Sequence, residues 1–225
     1  ADAYTSFQSA YSVVSSGDFV FVANGTYKPS AGIGYSRTYT FNLKEGVTYY
    51  GGFPNGGGTF ATRDFSATGT ILSGNIGNVN DSTDNCFTVV NASNLTSATK
   101  LSGFTIERGM ADSSDFTTIF GKVGGIALMN TGSIGLDSIN FNRNFGKYGG
   151  AINGNSSNNI TVRGCNFSYN HSLNGGGAAY IIGGSPVWQN CTFIGNTSNT
   201  GGALSINTAN TFSNCSFTSN SSSGG

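Results

Sequence analysis

The sequence predicts an all-β chain folded as a right-handed, single-stranded parallel β-helix. This is a solenoid of 24–26 residues per coil with a short capping helix at its N-terminal end. Three observations carry the prediction. The first is a repeat: Phe141, Phe167, Phe193 and Phe217 each precede an asparagine by three residues (Asn144, Asn170, Asn196, Asn220), at spacings of 26, 26 and 24. The second is that aligning the units stacks apolar residues into columns, as the inward positions of a solenoid must. The third is composition: 35 glycines, 27 asparagines and 9% charged residues give a polar surface made of amides and hydroxyls. A typical soluble domain carries about 25% charge.

Residues 1–18 form the cap. Phe7, Ala10, Tyr11 and Val14 fall on one helical face, with Thr5 or Ser6 as N-cap and Gly17 as terminator. Residues 19–98 read as irregular first coils, with strand-like runs at Phe19–Val22, Val47–Tyr50, Thr70–Leu72 and Cys86–Val90. Residues 99–225 are the regular coils. One column there is Leu101, Leu136, Val162, Trp188 and Phe212; a second is Phe104, Ile139, Cys165, Cys191 and Cys215; a third is Ile106, Phe141, Phe167, Phe193 and Phe217. The second and third columns lie two residues apart, the alternation of a strand. Three residues separate the first from the second, which demands a bend at Gly103, Ser138, Gly164, Asn190 and Asn214. Glycine runs follow at Gly124, Gly149, Gly175 and Gly201, the first displaced by a loop insertion near 110–122. Glycine there supplies positive φ at the change of direction, and the recurrent asparagine tolerates the same conformation. Three short strands per coil and a stacked asparagine ladder are expected.

The paired motifs GGAI, GGGAA and GGAL with FNRN, FSYN, FIGN and FTSN resemble the repeats of bacterial polymorphic outer membrane proteins. The resemblance covers roughly residues 100–225. The opening AYTSFQSAYSVVSSGDFVFVANGTYKPS, with GVTYYGGF and TILSGN, is similar to secreted bacterial pectin-lyase-like β-helix proteins. What the resemblance implies is a right-handed β-helix exported to the cell surface, acting as an adhesin or autotransporter passenger without catalysis. On that view this chain is the exported helical part, with any signal peptide removed.

Charge restricts the chemistry. Ten basic and ten acidic residues cancel, with no basic stripe for a phosphate backbone, so nucleic acid is not an expected partner. No apolar run reaches the roughly 20 residues that span a bilayer. Residues 164–225 contain no Asp, Glu, Lys or Arg, so those coils supply no general acid, general base or carboxylate cage. Elsewhere Glu107, Asp112 and Asp115 flank or enter the inserted loop and form the candidate binding loop, with calcium as the ligand to test. Asp137 and Arg163 fall one coil apart in the same outward register, where an exposed ion pair is expected. His171 reads as a surface residue. No cofactor is expected and no catalytic or metal residue is assigned. An enzyme would need two of Glu107, Asp112, Asp115 and Asp137 to converge with Arg108, Arg143 or Lys147.

The inward column Cys165, Cys191 and Cys215 has two readings, stacked thiols or a disulfide between neighbouring coils. Cys86 lies outside the column. Twelve N-x-[S/T] sequons follow from a composition rich in Asn, Ser and Thr. An outward polar ladder runs through Asn140, Asn166, Thr192 and Ser216, with Asn142, Ser168, Ile194 and Thr218 beside it. The expectation is a secreted or cell-surface structural or adhesive module whose partner is a glycan, a protein or a second copy of itself. The last coil lacks the lysine, proline or covering element that blunts a strand edge. Either the chain continues past Gly225 or the coil end stacks on another copy, building fibres. The alternative is a polysaccharide lyase or hydrolase with its site on residues 107–163.

Overall fold

A computed structural model describes residues 4, 6–29, 36–64, 69–115, 117–155 and 159–224. The chain is a parallel β-helix: every strand pairing among the described residues is parallel, and each coil hydrogen-bonds to the coils before and after it. Three sheets run along the column, of twelve, six and four strands. A regular coil is shown by Asn159–Arg163, Asn166–Ser168, His171–Gly175 and Ala179–Ile182. That makes four short strands where the sequence predicts three. The extra one, His171–Gly175, occupies the stretch between the asparagine and the glycine turn and builds the four-stranded sheet.

The three columns stack in the expected register. Leu101 pairs with Leu136, then Val162, Trp188 and Phe212. Phe141, Phe167, Phe193 and Phe217 stack face to face, with ring centroids 4.9, 4.7 and 4.6 Å apart and planes within 7°. Those spacings are the strand spacing itself, so one coil's rise delivers each ring onto the next. Burying one such ring contributes about 1.5–3 kcal/mol. The bend between the first two columns falls at Gly103, Ser138, Gly164, Asn190 and Asn214, all with φ between +52° and +78°.

The FxxN turn works differently from the expectation. Positive φ belongs to the residue before each asparagine, at Arg143, Tyr169, Gly195 and Ser219, and not to the asparagine. That kink turns the asparagine side chain inward, where Asn144, Asn170 and Asn196 are buried. Asn144 Oδ1 accepts the Gly109 N–H at 3.1 Å, and from Asn170 on each Oδ1 accepts two bonds from the preceding coil's asparagine: the backbone N–H and the Nδ2 of Asn144 both donate to Asn170 Oδ1 at 3.1 Å. Asn170 repeats the pattern on Asn196, and Asn196 on Asn220. Each Nδ2 also donates to a carbonyl, Asn170 to Phe141 at 3.1 Å and Asn196 to Phe167 at 2.9 Å. At the glycine turns positive φ falls on Gly149, Gly176 and Gly201, while Gly124 and Gly125 of the displaced run do not take it. A Cβ at Gly149 would sit 1.9 Å from the Ile152 carbonyl oxygen, which excludes any other residue.

The N-terminal helix spans Phe7–Val13 with Ser6 as N-cap, its Oγ accepting the Ser9 N–H. Phe7 is the buried member, set between Phe41 and Tyr49 at 5.1 and 5.4 Å. Tyr11 is exposed, contrary to the face the spacing predicts, and meets Lys44 instead. The helix also stops before Gly17, because Val14 is already extended and Asp18 takes the Ser15 N–H. Of the strand-like run Cys86–Val90 only the end is strand, Val90–Asn91. Cys86 and Phe87 bond out of register to Gly74 and Arg37 carbonyls. Strands at Gly25–Tyr27 and Phe41–Asn42 complete the first coils. Among the described residues no helix is long and apolar enough to cross a membrane.

Candidate functional site: the lateral face of the coils

Parallel in-register pairing places equivalent outward side chains one above another. Asn140 pairs with Asn166, then Thr192 and Ser216; Asn142 pairs with Ser168, then Ile194 and Thr218. The rows are hydrogen-bonded along their length. Asn166 Nδ2 donates to Asn140 Oδ1 at 2.8 Å, and the Thr192 hydroxyl donates to Asn166 Oδ1. Together with Thr105 they line a shallow groove along the column.

Across the bend, the adjoining face carries an aromatic cluster that the sequence reading did not single out. In Phe19–Ala23 the valines turn inward, leaving Phe19 61% and Phe21 55% exposed. Phe21 packs on Phe53 and Phe60 at 4.9 and 5.4 Å, and Tyr50 meets Phe60 edge-on at 5.0 Å. The signal was present in the sequence as the alternation Phe19-Val20-Phe21-Val22; what it lacked was which set faces out. Arg63 is buried behind this cluster, its guanidinium 5.0 Å from the Tyr50 ring. It donates to the carbonyls of Gly51 and Ser102 at 2.6 and 2.7 Å. Burial lowers the Arg63 pKa from its ordinary value, and the Asp137 charge opposes that shift. Beyond the rings the face becomes polar, with a depression around Gly135 lined by Thr48, Lys100, Asp137, Thr161 and Arg163.

The acidic residues singled out from the sequence each have their own partners. Glu107 Oε1 accepts from the Ser73 hydroxyl at 3.2 Å, with Arg108 Nε 3.7 Å away. Asp112 pairs with Arg37. Asp115 closes its own turn on the Thr117 hydroxyl and N–H, which lowers its pKa. The ion pair expected between Asp137 and Arg163 is not formed, although the two share a register. Asp137 instead takes Lys100 Nζ at 3.2 Å from the coil before, and Arg163 donates to Gln189 Oε1 at 2.9 Å on the coil after. Among the described residues no three His, Cys, Asp or Glu side chains group as a metal site.

All four cysteines are thiols. In the column, Cys165, Cys191 and Cys215 each lie within 3.3–3.4 Å of the carbonyl oxygen two residues earlier. Burial holds the Cys165 thiol well above its ordinary pKa. Cys86 is buried in the first coils, where desolvation pushes it up to about 12. His171 is exposed, with Nδ1 2.7 Å from the Thr197 hydroxyl and its ring on Phe145. No family model matches the chain, and no curated protein or solved structure matches it either.

Proposed function

We propose that the chain is a secreted or cell-surface structural and adhesive module, of the polymorphic outer membrane protein-type repeat class, that engages a glycan or protein along its lateral face without catalysis. The observation that carries this reading is the aromatic cluster of exposed Phe19, Phe21 and Phe60 around a half-buried Tyr50, on a column whose outward rows stack in register. Contiguous exposed apolar surface of this kind marks an interaction site. Ring faces flanked by Lys100, Asp137, Arg163 and Gln189 suit an extended glycan, whose C–H faces stack on aromatics while its hydroxyls bond to polar side chains. Glu107, Asp112, Asp115 and Asp137 are each tied to a different hydrogen-bond or ion partner, which supports a role in binding over one in bond cleavage.

The test is a glycan array and a polysaccharide co-sedimentation assay on the purified chain and on the Phe19→Ser, Phe21→Ser double variant, together with a reducing-sugar assay. Both substituted rings are exposed, so the fold is expected to survive. Retention by one glycan class, lost in the variant, is the expected outcome. Release of reducing ends or unsaturated sugars would replace this reading with that of a polysaccharide lyase or hydrolase.

A further inference from the structure

Five buried side-chain polar atoms lack a hydrogen-bond partner among the described residues, and three of them lie within eleven residues of one another: Asn75 Oδ1, Asp84 Oδ1 and Asn85 Oδ1. All three are acceptor oxygens. The other two, Trp188 Nε1 and Thr208 Oγ1, lie far away in the sequence. Asn75 and Asn85 are 8% and 5% exposed, so water does not reach them freely. A buried acceptor without a donor is costly, and three from one loop call for a shared partner that brings positive charge.

The loop is held so that these oxygens stay unpaired. Its neck is closed by the Cys86 N–H donating to the Gly74 carbonyl at 2.8 Å. Asn85 Nδ2 donates to the Arg108 carbonyl at 2.9 Å, which fixes the amide and rules out exchanging its oxygen and nitrogen. Asp84 uses Oδ2 to accept the Asn78 N–H at 2.6 Å, leaving Oδ1 over. The Asn75 N–H is 3.3 Å from Ser73 Oγ, and that hydroxyl donates to Glu107, which sets a second carboxylate beside the neck. Two cations stand nearby, both with partners of their own: Arg37 bonds the Asn85 and Met110 carbonyls and pairs with Asp112, and Arg108 Nε lies 3.7 Å from Glu107.

We propose that the neck of this loop binds a hard divalent cation of the calcium class through Asn75 Oδ1, Asp84 Oδ1 and Asn85 Oδ1. The donor set is all oxygen and mostly neutral amide, which suits calcium and not zinc or copper. With one direct carboxylate and Glu107 alongside, the affinity belongs to the weak extracellular range, Kd about 10⁻⁴ to 10⁻³ M. The acids of the 110–122 loop, to which the sequence drew attention, take no part, apart from Asp112 holding Arg37 aside. Sequence inspection for carboxylate clusters passes over this site because two of its three ligands are asparagines.

The experiment is calcium titration of the chelator-treated chain by calorimetry and by thermal melting, with terbium luminescence as a second probe. The expected result is saturable binding and a rise in melting temperature that a chelator reverses. Asp84→Asn should weaken binding by about tenfold or more, and Asn75→Asp, which adds a carboxylate, should tighten it several-fold. Asp115→Asn should leave it unchanged. The tightening variant keeps the test valid if Asp84→Asn folds poorly. No heat and no melting shift up to about 10 mM calcium would overturn the proposal, because the orphan oxygens would then be served by water. Binding that is lost in Asp115→Asn and kept in Asp84→Asn would overturn it too, moving the site to the other loop.

Discussion

The regular coils and the first coils solve the same problem with different chemistry. Both must satisfy buried backbone groups at every change of direction. From residue 133 onward the solution is a neutral amide used again and again, each asparagine bonding the next coil's asparagine and a carbonyl. In the first coils it is a set of single long-range donors: Arg63 reaches Ser102 and Arg37 reaches Asn85 and Met110. A repeated amide costs no charge burial and works wherever coils are equal in length. Where loops differ in length from coil to coil, a long side chain with several donors spans the gap, at the expense of desolvating a guanidinium.

The sharpest way to break this comparison is to remove one rung. Asn170→Ala strands the buried Asn144 N–H and the Phe141 carbonyl and takes one of its two donors from Asn196 Oδ1, which keeps the backbone N–H of residue 170. At about 1–3 kcal/mol for each unpaired buried group, partly relieved by relaxation, the expected loss is about 3–4 kcal/mol in urea unfolding. Asn166→Ala, four residues away on the outer ladder, removes two exposed bonds, to Asn140 and from Thr192, and should cost about 0.5 kcal/mol or less. Equal losses at the two positions would mean that the inner ladder is decoration.

Regularity also governs what could be read in advance. The columns, the bend and the glycine turns were legible because one register repeats them, so a single alignment exposes them all. The inward asparagine was legible as a ladder but not in its mechanism, since a positive φ at Tyr169 or Arg143 has no residue-type signature. The first coils were legible only as strand-like runs. Nothing near Arg63 in sequence announces Ser102, and Cys86–Val90 has strand composition with loop pairing. The outer face failed for a related reason: Asp137 and Arg163 share a register, but Lys100 and Gln189 on the flanking coils capture them. Register fixes neighbours and leaves partners to side-chain reach.

Alkaline pH sharpens the comparison, because three of the four groups whose pKa burial raises, Tyr27, Tyr49 and Cys86, lie in the first coils and the fourth, Cys165, in the regular ones. Desolvation pushes the Cys86 thiol from 9.0 and the Tyr49 phenol from 10.0 up to about 12, and Cys165 is raised also. A raised folded-state pKa stabilises below the unfolded value and loses that stability as pH climbs toward the folded one. From the Cys86 thiol, stability should therefore fall by about 1.4 kcal/mol per pH unit above about pH 9, with Tyr49 adding to the slope above about pH 10. Cys86→Val should flatten the first part of the decline in denaturant titrations across pH 8–11. An unchanged slope would place the titrating group in the regular coils, at Cys165.

The smallest effect tests a defect in the aromatic stack of the regular coils. Trp188 fills its column between Val162 and Phe212, with Phe167 and Phe193 edge-on at 5.9 and 5.7 Å, yet its buried Nε1–H has no partner. Trp188→Phe removes that orphan donor, a relief of about 1–3 kcal/mol, and opens a small cavity whose cost is of similar size and opposite sign. The urea midpoint should move by less than about 1 kcal/mol, toward greater stability if the neighbouring rings close in. A loss of about 3 kcal/mol would show that the indole N–H is satisfied by a trapped water. The column would then be wet at its widest ring, and large aromatics would be tolerated in this solenoid only where water can complete them.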